Sequence, residues 1–207
     1  MIGIVNQAFQ DYVREHHDPV TWQRIAQRVE TDMFVESEDY DDDLTAELAN
    51  AIAAEVGLDV EDVLRQVGEH FGRICLSRRF GALLDAAGST YLGFLRKLPD
   101  LQTRFGLIYP DTRPPRFEVL EEGPDSMTIV HETTREGLAP LFAGTLAGLA
   151  SAFGVDASVS FRRGRSECGI RHEYLVRWTA EETCRPNSEE ACRPHSSPAG
   201  VRLSPDH

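Results

Sequence analysis

The stretch from Tyr91 to Arg135 limits what this chain can fold into more than any other. It reads YLGFLRKLPDLQTRFGLIYPDTRPPRFEVLEEGPDSMTIVHETTR. Tyr91, Phe94, Leu95, Leu98, Leu101 and Phe105 recur at helical spacing, so its first half predicts a helix with one apolar stripe. Gln102 falls in that stripe, one turn after Leu98. Tyr109-Pro110 and Pro114-Pro115 then stiffen a crossing segment. Phe117 to Leu120 and Met127 to Thr133 read as strands joined by a turn at Gly123-Pro124-Asp125. Alternation with period two puts His131, Thr133 and Arg135 on one face of the second strand.

The residues before this stretch predict helices. Ile4, Val5, Phe9, Tyr12 and Val13 make a stripe over Ile2 to Glu15. Asp18 caps a second helix with Pro19 in its first turn, carrying Trp22, Ile25 and Val29 inward. Asp43 is placed to cap a third, with Leu44, Leu48, Ile52 and Val56 inside and Gly57 at its end. Asp59 opens a fourth, apolar at Val63, Leu64, Val67, Phe71, Ile74 and Cys75. Phe80 to Ala87 predicts a short helix ended at Gly88. After the two strands, Leu138 to Phe153 predicts the last long helix, in which Gly144 and Gly148 let another backbone approach closely. Val155 to Phe161 and Tyr174 to Trp178 predict two more strands, with Arg162 to Ser166 as the connecting turn. Helices first, then a sheet interrupted by one helix, is an α+β pattern. The expected arrangement is an N-terminal helical subdomain packed on a C-terminal antiparallel sheet, with one long inserted helix. Residues 1-178 are expected to form this domain and 179-207, rich in Pro, Ser, Glu and Arg, a disordered tail.

Charge narrows the partners. With a net charge of -13, a nucleic-acid backbone and an anionic membrane surface are poor partners. No stretch approaches the roughly 20 apolar residues that span a bilayer, and the start lacks the basic and apolar regions of a signal peptide. A cytoplasmic protein is expected, with its 4 cysteines as thiols or metal ligands.

The helix–proline–hairpin layout resembles the H-NOX family, the heme nitric-oxide/oxygen sensing domains also found in soluble guanylate cyclase. Family members carry F-L-x-x-L-x-x-L-H, whose histidine ligates heme iron, and a later Y-x-S-x-R that binds the heme propionates. Here the first motif runs from Phe94 and Leu95 through Leu98 and Leu101 to Gln102. The second reads His131-Glu132-Thr133-Thr134-Arg135. The resemblance covers about residues 1 to 178, and implies a heme or related tetrapyrrole cofactor. Gln102 would stand at the iron, His131, Thr133 and Arg135 at the propionates, and Pro115 against the porphyrin. Val5, Phe9, Phe71, Ile74 and Leu141 would form the distal wall. Oxygen-binding members place a tyrosine in the helix matching Leu138 to Phe153, which has none here, so nitric oxide or carbon monoxide is the implied gas. Implied partners are signalling proteins such as a histidine kinase or a cyclic-di-GMP enzyme.

The residues themselves leave alternatives open. A glutamine amide is a weak iron ligand, so Gln102 reads equally as a hydrogen-bonded core residue. Arg135 suits a bidentate pair with a propionate or with a protein carboxylate. A charged His131 would help hold a carboxylate, with affinity falling as pH rises through the imidazole pKa. Cys168, His172, Cys184 and Cys192, with His195 nearby, offer a loose zinc set, against free thiols. The acidic run Glu36 to Asp43 lacks the glycine and distal glutamate of a calcium loop. His16-His17 ends the first helix, where cations suit the dipole, and gets no chemistry. No nucleophile–base pair supports an enzyme. Two functions follow: a heme-type sensor domain that signals to a partner, or a heme-free domain of that fold acting as an interaction or structural module.

Overall fold

The computed structural model describes residues 1–76, 90–108, 116–123, 125–166 and 169–179. Its N-terminal part is helical: α1 (Gly3–His16), α2 (Pro19–Arg28), α3 (Asp42–Val56) and α4 (Val60–His70). The start of α2 is fixed by Asp18, whose carboxylate accepts from the N–H groups of Val20 and Thr21. Gly57, at φ 71°, closes α3 in the left-handed conformation that glycine adopts without a Cβ penalty. Asp41, rather than the expected Asp43, caps α3, accepting from the Asp43 N–H at 3.1 Å. A cap sits on extended backbone before the first turn, and Asp43 already lies inside it.

Two corrections concern the middle of the chain. The fourth helix does not run unbroken to Cys75; α4 passes at His70 into a π-helical segment, Phe71–Leu76. The stripe from Tyr91 to Phe105 is not one helix but two, α5 (Tyr91–Arg96) and α6 (Leu98–Ile108). Pro99 has no N–H for the Leu95 carbonyl, and its ring disfavours helical backbone at Leu98. The chain answers by closing Lys97 N–H back onto Phe94 O at 3.0 Å. The helix expected over Phe80 to Ala87 lies outside the described residues.

The second half holds an antiparallel sheet in the order β1-β2-β4-β3. Its strands are β1 (Arg116–Glu122), β2 (Ser126–Thr133), β3 (Ala157–Ser166) and β4 (Gly169–Trp178). The Gly123 N–H donates to Ser126 O at 2.7 Å and closes the predicted turn between β1 and β2. Arg162 to Ser166 are strand, not turn. β3 is an edge strand, where arginines reach water and nearby acids: Arg162 pairs with Glu173 at 3.1 Å and Arg163 with Glu136 at 3.0 Å.

The helix α7 (Ala139–Ala152) is inserted between β2 and β3 and joins the two halves. Its Leu141 belongs to the helical core with Phe9, Val13, Leu48, Ile52, Leu64 and Val67. Its Ala143, Leu146, Leu149 and Ala150 belong to the sheet-side core with Ile129, Tyr174 and Val176. Tyr91 of α5 is pinned there by its hydroxyl, which donates to Leu146 O at 2.9 Å. The close approach expected at Gly144 and Gly148 is present, and α4 is the partner. A Cβ on Gly144 would lie 2.0 Å from the Arg65 carbonyl oxygen, and one on Gly148 2.1 Å from that of Glu69. Gly68 and Gly72 repeat the spacing on the other side, at 2.1 Å from Leu141 O and 2.3 Å from Thr145 O. Four glycines thus let two helical backbones touch directly.

The result is the predicted α+β architecture: helices, an inserted helix, and an antiparallel sheet. Of the expected tail, Thr179 alone falls among the described residues. Among those residues, no helix is long and apolar enough to cross a membrane.

Candidate functional site

His131 lies in a row that crosses the sheet, paired with Phe117 on β1 and His172 on β4. It shares its strand face with Met127 and Ile129, both buried, so alternation turns it toward α7 rather than to solvent. Its ring stacks on Phe117 at 5.1 Å and packs against Phe142 of α7 at 4.8 Å. Tyr174 and His172 stand 6.1 and 6.2 Å away. Neither ring nitrogen has a hydrogen-bond partner among the described residues. Burial, then the neighbouring His172 and Arg135, push the His131 pKa down to about 3. His172 is 3% exposed and is also shifted down, first by burial and then by Arg163.

This corrects the expectation of a titrating imidazole that helps hold a carboxylate, because His131 is neutral over the whole range near pH 7. Its effect is on stability instead. The unfolded imidazole takes a proton near the ordinary 6.5, while the folded one resists until about 3. Stability is therefore lost as pH falls through that window. Between about pH 7 and pH 5 the His131 share is about 2 kcal/mol. Urea unfolding at both pH values should show the loss, and His131→Phe should shrink it, with His172 keeping its own share. An equal loss in the variant would contradict the assignment.

Thr133, the last residue of β2, keeps the face of His131, but Arg135 lies beyond the strand end and does not share it. The Thr133 hydroxyl accepts the Arg135 N–H at 3.1 Å. Arg135 Nε donates to both carboxylate oxygens of Asp42, at 2.9 and 3.0 Å, tying the end of β2 to the start of α3. Asp42 also meets the Met1 amino group at 2.9 Å. Burial pushes the Asp42 carboxyl up, but the hydrogen bonds from Met1 and Arg135 outweigh it and hold the group below the usual carboxylate range.

Val5, Phe71 and Leu141 meet with Phe9 in the N-terminal core. Ile74 is half-buried in the π segment. Gln102 lies on α6. Pro115, Cys168, Cys184 and Cys192 lie outside the described residues, and His172 of that expected zinc set faces the core between β2 and β3. Sequence reasoning missed the aromatic surroundings of His131, although its parity with Met127 and Ile129 pointed inward. It also missed the grouping of Glu15, His16 and His70, whose ligand atoms lie within 4.8 Å of one another. No local signal joins those positions.

The sequence matches the Haem-NO-binding (HNOB) family over residues 2–161. The chain is 22% identical over 148 residues to the soluble guanylate cyclase gcy-31 of Caenorhabditis elegans, a match over 70% of this chain and 21% of that protein. It is 28% identical over 95 residues to the guanylate cyclase soluble subunit beta-2 of Rattus norvegicus, covering 45% of this chain and 14% of that one. The chain thus spans about a fifth or less of the length of these relatives. Among solved structures it is similar to the Fe(II) unliganded H-NOX protein from K. algicida, with TM-score 0.74 and 19% identity over 87% of this chain and 98% of that one. An oxygen-binding H-NOX domain related to soluble guanylate cyclases gives TM-score 0.73 and 18% identity over 86% and 95%. At such identities the structural likeness speaks for the fold, and the family match, over most of the sequence, shows that this chain belongs to the haem-NO-binding, or H-NOX, family.

Proposed function

We propose that this chain is a regulatory H-NOX domain that works by protein contact, without a histidine-ligated heme. H-NOX is a sensor-domain family, and we assign the chain no catalytic activity. The observation that carries the reading is where the polar groups expected at a heme are committed. Heme iron is held by an imidazole, thiolate, thioether or phenolate. At the position the resemblance gives the ligand stands Gln102, whose neutral amide is none of these. His131 is the imidazole of the expected set, and it packs in one aromatic cluster with Phe117 and Phe142. Arg135, the expected propionate partner, holds Asp42. This donor set does not fit a histidine-ligated heme. The proposed setting is the cytoplasm, and the proposed partner is a signalling protein of the kind the resemblance implies, a histidine kinase or a cyclic-di-GMP enzyme.

The other reading, a heme or tetrapyrrole sensor of a diatomic gas, is favoured by the likeness to an oxygen-binding H-NOX domain over 86% of the chain. Thermal unfolding with hemin separates the two. A ligand that binds only the folded state raises stability by about 2.7 kcal/mol at a hundred times its Kd. Hemin at about 10 μM should leave Tm unchanged if the proposal is right. A rise of several degrees, abolished by Arg135→Ala, would favour the heme reading instead.

A further inference from the structure

We propose that Glu15, His16 and His70 form a site for a divalent transition-metal ion of the zinc type, where the C-terminal end of α1 meets the end of α4. One ligand atom from each lies within 4.8 Å of the other two. His70 Nδ1 is 3.7 Å from Glu15 Oε2. His70 is 2% exposed, yet neither of its ring nitrogens has a hydrogen-bond partner among the described residues. A buried, unpaired polar group costs about 1–3 kcal/mol, and binding a metal through the ring's lone pair offsets that cost.

His16 is set up for ligation by its surroundings. Its Nδ1 lies 2.9 Å from Tyr12 O, and a carbonyl only accepts, so Nδ1 carries the proton and Nε2 the lone pair. A hydrogen bond from the non-ligating nitrogen to a carbonyl is the usual way to orient a metal-binding histidine. The Tyr12 ring stacks on His16 at 4.6 Å and 26°, and its hydroxyl donates to Gln66 Oε1 at 2.6 Å. The ring is thus braced from α1 and, through Tyr12, from α4.

The donor set selects the ion. Two imidazoles and one carboxylate suit zinc or a similar first-row ion, whereas calcium and magnesium take oxygen ligands. Three protein ligands leave a coordination position for water. Bonds of about 2.1 Å in tetrahedral geometry bring ligand atoms to roughly 3.4 Å, so the site closes by up to about 1.4 Å from its present spacing. Glu15 is exposed and supplies most of that movement, toward the braced His16 and the buried His70. Asp11 and Glu15 face His70 as anions, and Arg73 opposes a cation. Glu69 and His17 approach from the Tyr12 side. The partial negative charge at the end of α1 favours a cation. Burial keeps His70 below the ordinary imidazole range, hence neutral and ready to ligate at pH 7. A bound ion would clamp α1 to α4 at the residue where α4 passes into its π segment.

The test is a cobalt(II) titration of the full chain and of its Cys168→Ser/Cys184→Ser/Cys192→Ser variant, followed by d–d absorption and calorimetry. About one ion per chain should bind in both proteins, and the triple variant should show no thiolate charge-transfer band. Glu15→Gln and His16→Gln, at exposed positions that leave the fold intact by circular dichroism, should each weaken binding roughly tenfold or more. Affinity should fall as pH is lowered, because protons compete with the ion for its ligands. Failure of the triple variant to bind cobalt would overturn the site. So would unchanged affinity in both single variants.

Discussion

Changing Gln102→His should raise heme occupancy by orders of magnitude. The substitution places an imidazole on α6 at the position where the family resemblance puts the iron ligand. An iron–imidazole bond contributes several kcal/mol, and each 1.4 kcal/mol is about a factor of ten in affinity. The variant should gain a Soret band when expressed with a heme precursor, and its ferrous form should shift on adding nitric oxide. Circular dichroism of the variant checks that it folds as the unmodified chain does. If the variant stays colourless, the space for a porphyrin is gone as well as the ligand. The chain would then be an interaction module by shape and not only by the loss of one side chain.

Gly144→Ala should cost about 3 kcal/mol and lower Tm by about 10 °C. The new methyl would lie 2.0 Å from the Arg65 carbonyl oxygen, a backbone atom that cannot rotate away. The sign is informative because alanine is the better helix former by about 1 kcal/mol, so on an open helix face the same change would stabilise. Gly68→Ala, on the opposing helix and 2.1 Å from Leu141 O, should act in the same direction. The two changes share one crossing, and together they should be less than additive. A stabilised Gly144→Ala would mean that α4 and α7 do not touch as described.

Much of the fold was legible in the sequence because it rests on local rules. The stripes of the N-terminal helices, the Asp18 and Asp59 caps, the Gly57 stop and the turn at Gly123 each follow from a few neighbouring residues. The misreadings have physical causes of their own. Pro99 sits inside an apolar stripe regular enough to hide the break it makes. The arginines at 162, 163 and 165 look like a turn until β3 is known to be an edge strand with acids nearby. The glycine crossing was half legible, since Gly144 and Gly148 announce a close approach but not its partner.

The site was less legible, because its properties depend on what faces what. Period-two alternation was applied to His131, Thr133 and Arg135, but the same rule joins His131 to the buried Met127 and Ile129. Arg135 lies beyond the strand end, where alternation no longer governs it, and its carboxylate partner comes from a helix that starts at residue 42. His16 and His70 meet only because α1 and α4 pack together.

We propose that this H-NOX domain has given up histidine-ligated heme. The most direct measurement is the visible absorption spectrum of the unmodified chain, expressed with a heme precursor, purified and reduced with dithionite. Little heme and no imidazole-ligated ferrous spectrum are expected. Stoichiometric, tightly held heme with that spectrum would contradict the proposal, and would mean that another residue of this chain ligates the iron.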